Sequence, residues 1–253
     1  MAMLKLCFNR RRRWLSVLVI AGAALCCALG VWQLDRLAQR QARNAAINAR
    51  MALPAVPLGG APADPDALDY RYVEARGVYA PEQEIVLRPR SLDGITGVHV
   101  ITPLRLSGSD AAVLVDRGWL PMELAAPMAR RAYAEPGEVV VQGVARRSQA
   151  GASGPEEAPL LPGQTRRDAW FRVDIAQIEQ QAGYKLLPVF IEQQPGRHDP
   201  ALPRRTTTSD TGPGPHLSYA LQWFSFAAIL LVGYPMVVYH RARRAPAADQ
   251  ASP

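Results

Sequence analysis

The fold of this chain is decided by the stretch Trp14 to Trp32, which reads W-L-S-V-L-V-I-A-G-A-A-L-C-C-A-L-G-V-W and contains no charged residue. A second uncharged stretch, Leu217 to Tyr239, reads L-S-Y-A-L-Q-W-F-S-F-A-A-I-L-L-V-G-Y-P-M-V-V-Y. A helix of about 20 apolar residues rises about 30 Å, the thickness of the hydrocarbon core of a bilayer. The sequence therefore predicts a membrane protein with two transmembrane helices.

Basic residues near the termini lie outside both stretches and predict the topology. Lys5 and Arg10 to Arg13 precede the first stretch, and Arg241, Arg243 and Arg244 follow the second. Basic flanks are retained on the cytoplasmic side of a membrane. Both termini are therefore predicted to be cytoplasmic, with the segment between the stretches on the far side.

The net charge of the chain combines these flanks with a neutral centre. The chain has 253 residues, of which 29 are Lys or Arg and 22 are Asp or Glu, which gives a net charge of +7. Removing the eight flanking basic residues and Asp249 leaves 21 basic and 21 acidic residues between the stretches. Because nucleic-acid binding needs a basic surface on the folded domain, no nucleic-acid partner is predicted. The partner that the charge pattern favours is the lipid bilayer.

A cleaved signal peptide is the alternative interpretation of the first stretch. Ala28-Leu29-Gly30 is a poor cleavage site, and Trp32-Gln33-Leu34 continues the helical pattern beyond it. Signal peptides have a shorter apolar region and small residues before the cleaved bond. We therefore expect an uncleaved anchor.

Small residues recur every four positions in the first stretch, at Gly22, Cys26 and Gly30. A face of small residues lets another helix approach closely. The second stretch is the obvious candidate, although a dimer would give the same pattern. The cysteines are Cys7, Cys26 and Cys27, so the central segment has no internal disulfide.

The segment between the stretches is predicted to be a stalk helix followed by a β-rich domain. Gln33 to Met51 contains strong helix formers and no Gly or Pro, whereas the four prolines and two glycines of Leu53 to Pro65 predict a linker. Short Val- and Ile-rich stretches then predict an α+β domain with a mainly antiparallel sheet or small barrel. The predicted strands are Tyr70–Tyr79, Glu84–Pro89, Gly97–Leu106, Ala112–Trp119, Glu138–Ala145, Trp170–Val173 and Leu187–Glu192, and the predicted short helices are Glu123–Ala134 and Ile175–Ala182.

The predicted domain organisation follows from these patterns. It comprises a basic N-terminus (1–13), a first transmembrane helix (14–32), a stalk helix (33–52), an extramembrane β-rich domain (53–215), a second transmembrane helix (216–239) and a cytoplasmic tail (240–253).

The sequence contains no G-x-S-x-G elbow, P-loop, G-x-G-x-x-G or H-E-x-x-H motif, so no enzymatic activity is predicted. His99 is expected to be hydrogen-bonded within a strand. His216 opens the second stretch, with Tyr219 and Trp223 three and seven residues later on the same helix face. This group of residues has two interpretations. It is either an aromatic belt at the membrane interface or a haem or metal ligand, His216, between aromatic side chains.

Three motifs in order resemble the Surfeit locus protein 1 family, which are assembly factors of cytochrome c oxidase. The first is Gly30-Val31-Trp32-Gln33-Leu34 with Arg36, at the end of the first stretch. The second is V-L-V-D-R-G-W-L-P, from Val113 to Pro121, and the third is P-H-L-S-Y-A-L-Q-W-F, from Pro215 to Phe224. The resemblance covers the chain from Trp14 to about Tyr239.

This resemblance implies a function and a set of site residues. The resemblance implies a chaperone that assists the insertion of haem a into the catalytic subunit of the oxidase. The implied partners are that subunit and the haem a synthesis machinery. In bacterial members the histidine that opens the second span is the haem a ligand, which here is His216. Tyr219 and Trp223 would line that site, and Arg117 would pair with a haem propionate. The implied location is the bacterial inner membrane, with the central domain in the periplasm.

Alternatives to these roles remain. Arg117 and Trp119 would instead stabilise a turn between strands. The whole protein would instead be a purely structural interaction protein that stabilises an oxidase assembly intermediate without binding haem. An exported enzyme is the least favoured alternative, because the sequence shows no nucleophile or acid–base pair.

Overall fold

The computed structural model describes residues 13–60, 64–151, 154–157, 159–160, 163–196, 201–207 and 211–244. Two compact units emerge, a helical unit formed by residues up to 46 and from 211 onward, and a β domain formed by residues 47–210. Most of the basic N-terminal cluster, Cys7 and His198 lie outside the described residues.

Helices lie where apolar or strongly helix-forming residues are continuous. Helix α1 runs unbroken for 39 residues, because the apolar stretch leads directly into a segment without glycine or proline. The position of the bilayer along it stays a prediction. The described α-helices are α1 Arg13–Met51, α2 Pro65–Leu68, α3 Pro127–Arg130, α4 Ile175–Ala182, α5 His216–Ala228 and α6 Tyr234–Arg244.

Two of these helices are long and apolar enough to cross a membrane, over Arg13–Met51 and His216–Arg241. A π-helical turn, Ile229–Gly233, joins α5 to α6. The sequence predicts a kink at Pro235, near the end of the second span. Proline disturbs the helix at the carbonyl four residues earlier, so the irregularity lies in the turn before it.

In the helical unit, α1 packs antiparallel against α5 and α6. The hydroxyl groups of Ser16 and Tyr234 lie 2.7 Å apart. A Cβ atom on Gly22 would lie 3.5 Å from a methyl group of Leu230, and one on Gly30 would lie 2.7 Å from the ring of Phe224. The prediction that this small-residue face receives the second span is therefore confirmed at both glycines.

Eight strands lie among the described residues of the β domain, and all but the first lie close to the predicted ones. They are β1 Val56–Leu58, β2 Tyr72–Tyr79, β3 Ile85–Leu92, β4 Ile95–Leu106, β5 Ala112–Pro121, β6 Glu138–Arg147, β7 Ala169–Trp170 and β8 Leu186–Gln193. Single-turn 3₁₀ helices lie at Pro81–Gln83, Met122–Leu124 and Arg131–Tyr133.

The sheet closes into a small barrel in the order β2-β6-β8-β5-β4, because β4 pairs with β2 as well as with β5. Closure takes place at Gly77, which is opposite Val139 of β6 and opposite Leu106 of β4. A Cβ atom on Gly77 would lie 2.0 Å from the carbonyl oxygen of Arg105. Only glycine therefore lets the two backbones approach closely enough to complete the ring.

Alternate side chains fill the barrel, and a second apolar layer covers the outside of β5. Along β2, Val73 and Ala75 face the interior, as the period of two requires. Leu114 of β5 faces the other way and packs with Phe190 and with Ile178 of α4. This explains why the first part of β5, residues 112–115, is apolar without alternation, since both faces of the strand are buried there.

Three sequence-based expectations need correction. The sheet is mainly antiparallel, as predicted, since five strand pairs run antiparallel, but it is mixed, because the pairs β1–β2, β3–β7 and β5–β8 are parallel. The connection that contains α4 returns β8 in the direction of β5. The predicted linker contains β1. The predicted helix Glu123–Ala134 is divided into the short α3 and two 3₁₀ turns, because Pro127 can start a helix but cannot continue one.

We expect Gly77→Ala to destabilise the β domain by about 3 kcal/mol, because the new methyl group would force the closing strands apart. The measurement is urea unfolding of the full chain in detergent, followed by near-UV circular dichroism. Gly59→Ala is the matched control, since a Cβ atom there would meet no atom of the described residues within 4 Å. Equal unfolding midpoints for the two variants would contradict the closure role of Gly77.

Candidate functional site

His216 is the first residue of α5, at the end of the loop that leads into the second apolar helix. Pro215 precedes it at the N-cap, and its carbonyl oxygen accepts hydrogen bonds from the Tyr219 amide at 3.1 Å and the Ser218 hydroxyl at 2.7 Å. These bonds close the first turn of α5, which fixes the backbone that carries the imidazole.

The His216 side chain contacts α1. Its Nδ1 lies 2.9 Å from the Oε1 atom of Gln33, across the interface between the two helices. Both side chains are half-buried. The sequence places Gln33 inside the first family motif, but only the folded hairpin brings it to the histidine.

Two further side chains of α1 hold the loop before α5. Arg40 Nε donates to the Gly212 carbonyl at 2.7 Å. Asn44 Nδ2 donates to the Thr211 carbonyl at 2.9 Å. Neither residue could be predicted from the sequence, because nothing in a helical repeat identifies the side chains that will meet a distant loop.

Tyr219 and Trp223 lie along the same face of α5 as His216. Tyr219 is exposed and Trp223 is half-buried, with its ring edge-on to Phe226 at a centroid distance of 5.9 Å. Ala220 and Ala227 are the buried residues of α5. The two aromatic side chains thus follow His216 along one helix face, and their predicted contact with a ligand stays a prediction.

The donor set limits what this face of α5 can bind. Among the described residues, no group of three or more His, Cys, Asp or Glu side chains could hold a metal ion. A haem, unlike a bare ion, takes only one or two axial ligands from the protein and buries its ring against apolar and aromatic groups. A single imidazole on the same helix face as Tyr219 and Trp223 meets the requirements of a haem, but it does not meet those of a bare metal ion.

Arg117 lies elsewhere, in the interior of the β domain. It belongs to β5 and only 1% of its side chain is exposed. Its guanidinium group donates to Glu84 Oε2 at 3.3 Å and to Glu135 Oε1 at 2.8 Å, and it stacks 4.9 Å from the ring centroid of Tyr79. Burial raises the pKa of Tyr79, so the ring over the guanidinium group stays a neutral phenol.

Arg117 and Trp119 lie within β5, and Arg117 donates to the Tyr133 carbonyl and to Glu135 in the connection between β5 and β6, which agrees with the alternative role of stabilising a turn between strands. The pairing of Arg117 with a haem propionate stays a prediction, and the structure gives this guanidinium two protein carboxylates instead.

Glu84 is the centre of this buried charge network. Its Oε2 also accepts from the Thr102 hydroxyl at 2.7 Å, and its Oε1 accepts from Arg130 Nε at 2.9 Å. Arg130 forms a second ion pair with Asp168 at 2.6 Å. Burial opposes the charge of Arg130, but the hydrogen bond and charge of Asp168 and the charge of Glu84 outweigh it and raise its pKa. No pattern of residues along the chain indicates this network.

A cleft of about 610 Å³ lies beside the network, and a smaller polar cleft of about 280 Å³ contains the His99–Asp116 pair. His99 Nδ1 lies 2.8 Å from Asp116 Oδ2, which confirms the expected strand histidine with a hydrogen-bond partner. Charged side chains line the larger cleft; they are Glu82, Glu84, Arg130, Arg131, Arg166 and Asp168.

Similarity to known proteins extends over most of the chain. A model of the SURF1 family matches residues 20–228, which include most of α1, the β domain and α5. The chain belongs to the SURF1 family. The resemblance noted in the three motifs is thereby confirmed.

Relatives in this family align over most of their length. A SURF1-like protein of Monosiga brevicollis is 29% identical over 214 residues, covering 80% of this chain and 79% of the relative. Surfeit locus protein 1 of Mus musculus is 26% identical over 231 residues, covering 85% and 72%. An uncharacterized SURF1-like protein of Mycobacterium bovis is 28% identical over 266 residues, covering 98% and 93%.

We expect Glu84→Gln to lower the free energy of unfolding by about 3–5 kcal/mol, because it leaves two buried guanidinium groups without their shared anion. Glu82→Gln is the matched control two residues away. The Glu82 carboxylate is 60% exposed and the Glu84 carboxylate 7%, so the control should cost less than about 1 kcal/mol. Chemical denaturation measures both, and similar losses would refute the central position of Glu84.

Proposed function

We propose that this protein is a membrane-anchored assembly factor of cytochrome c oxidase that assists the insertion of haem a into the catalytic subunit. Membership of the SURF1 family supports the oxidase as its target. The two long apolar helices support a membrane location. The protein itself performs no catalytic step in this proposal.

His216 carries the haem-binding part of the proposal. It is the one histidine of α5, its Nδ1 is occupied by Gln33, and Tyr219 and Trp223 follow it on the same helix face. Haem a is the cargo here, and it combines a polar propionate edge with a long apolar tail. A ligand at the start of an apolar helix would hold the ring at the membrane boundary and leave the tail in lipid.

The proposed location is a bacterial inner membrane, with both termini in the cytoplasm and the β domain in the periplasm. The basic residues beyond each apolar helix support this orientation. The haem a synthesis machinery and the catalytic oxidase subunit are the proposed partners within the same membrane.

A second candidate function is a purely structural one, in which the protein stabilises an oxidase intermediate without haem. Gln222 favours it, because this polar side chain is exposed on α5. Polar groups within a membrane usually face a protein partner rather than lipid.

The test of haem binding is the absorption spectrum of the full chain, purified after co-expression with haem a synthesis. We expect a haem a spectrum for the natural sequence and loss of most of it for His216→Ala. His240→Ala is the matched control at the far end of the same apolar segment. An unchanged spectrum in His216→Ala would rule out this ligand.

Co-purification separates the two candidate functions. Both predict that the protein captures the catalytic oxidase subunit. Capture by a protein that contains no haem under these conditions would favour the structural function.

A further inference from the structure

The contact between His216 and α1 determines which nitrogen of the imidazole carries a hydrogen. Gln33 Oε1 and His216 Nδ1 are 2.9 Å apart, and Oε1 is an amide carbonyl oxygen that can only accept a hydrogen bond. Nδ1 must therefore carry the hydrogen. A neutral imidazole has a single N–H, so the lone pair lies on Nε2, on the side of the ring away from Gln33.

That protonation pattern is the one a metal-binding imidazole needs. Histidine ligands commonly donate one ring N–H to an oxygen of the protein, which fixes the tautomer, orients the ring and leaves the other nitrogen to bind the metal. Here the oxygen comes from the other helix of the hairpin, which makes the tautomer of His216 depend on helix packing.

We propose that Gln33 is the positioning residue of the haem site, holding His216 with Nδ1 protonated and Nε2 directed at the iron. This inference rests on the proposed function for the identity of the ligand. The fixed tautomer itself is a property of the haem-free protein.

The hairpin is built so that this contact is held from both sides. One turn before Gln33, Gly30 lets the ring of Phe224 approach to where a Cβ atom would lie 2.7 Å away. Two turns after it, Arg40 donates to the Gly212 carbonyl at 2.7 Å. The interface above and below therefore fixes the distance between the helices, and Gln33 needs no rearrangement to reach the imidazole.

The first arm of the test reads the tautomer without haem. The full chain, labelled with ¹⁵N-histidine and purified in detergent without haem a synthesis, is examined by NMR, and the His216 signals are assigned by their absence in His216→Gln. We expect the pyrrole-type nitrogen of His216 to be Nδ1. In Gln33→Leu it should shift largely to Nε2, the form that a histidine side chain prefers in water.

Two further variants complete this arm. Gln33→Glu retains an acceptor and should keep Nδ1 protonated. Gln41→Leu is the matched control, because it makes the same substitution at an exposed position of α1; its His216 signals should match those of the natural sequence.

The second arm measures haem after co-expression with haem a synthesis. Loss of the orienting partner of a metal ligand costs about 10-fold to 100-fold in affinity, so Gln33→Leu should retain at least about 10-fold less haem than Gln41→Leu. Gln33→Glu should retain haem, with a lowered midpoint potential, because a carboxylate draws the Nδ1 proton and makes the imidazole a stronger donor.

The outcomes separate this inference from the proposed function. A His216 protonated at Nε2 in the natural sequence, or the same tautomer in Gln33→Leu, overturns the inference whatever the haem content. Equal haem in Gln33→Leu and Gln41→Leu also overturns it, while the proposed function stands. A Gln33-dependent tautomer in a protein that never binds haem leaves Gln33 as the residue that orients His216 and refutes the proposed function.

Discussion

The close approach of α1 and α5 at Gly30 is the constraint on which the helical unit depends. Between two helices in lipid no water is released by burying apolar side chains, so pairing relies on close packing and hydrogen bonds. The absence of a side chain at Gly30 lets the ring of Phe224 contact the α1 backbone. This contact sets the spacing at which Gln33 reaches His216, and the Ser16–Tyr234 bond continues the same interface toward the other end.

The β domain depends on a different constraint, which is the cost of burying charge. Arg117 and Arg130 are almost fully buried, and they share the Glu84 carboxylate, while Glu135 and Asp168 each provide a second one. Strand β5, which contains Arg117, also contains Asp116 and Trp119. Asp116 is hydrogen-bonded to His99, and Trp119 pairs with Arg204 in an isolated β-bridge. The central motif, V-L-V-D-R-G-W-L-P, is thus accounted for by the packing and charge pairing of the domain. The motif that begins at Pro215 is different, since Tyr219 and the face beside His216 remain open.

Much of the fold follows from the sequence by simple periodicity. The ends of α4 are an example, since Asp174 caps its first turn and Gly183 adopts a left-handed conformation after its last. The strands were found within a few residues, because their Val-rich runs are bounded by turn residues. The short β1 was missed, since three residues among prolines carry no periodic signal and become a strand only by pairing with β2. The parallel direction of β8 was missed for a related reason, because strand direction is set by the path of the connection and not by the strand's residues.

The sequence by itself determined the class of the protein, its two apolar helices, the neutral β-rich segment between them and the identity of His216 as the residue to examine. Charge distribution and hydrophobic length act locally along the chain, so they can be evaluated without a structure. The tertiary structure decided which side chains meet. Gln33 contacts His216 although the two are 183 positions apart in sequence. Arg117 is buried and forms ion pairs with Glu84 and Glu135. Such contacts depend on the register of helices and strands, and no local pattern of residues records that register.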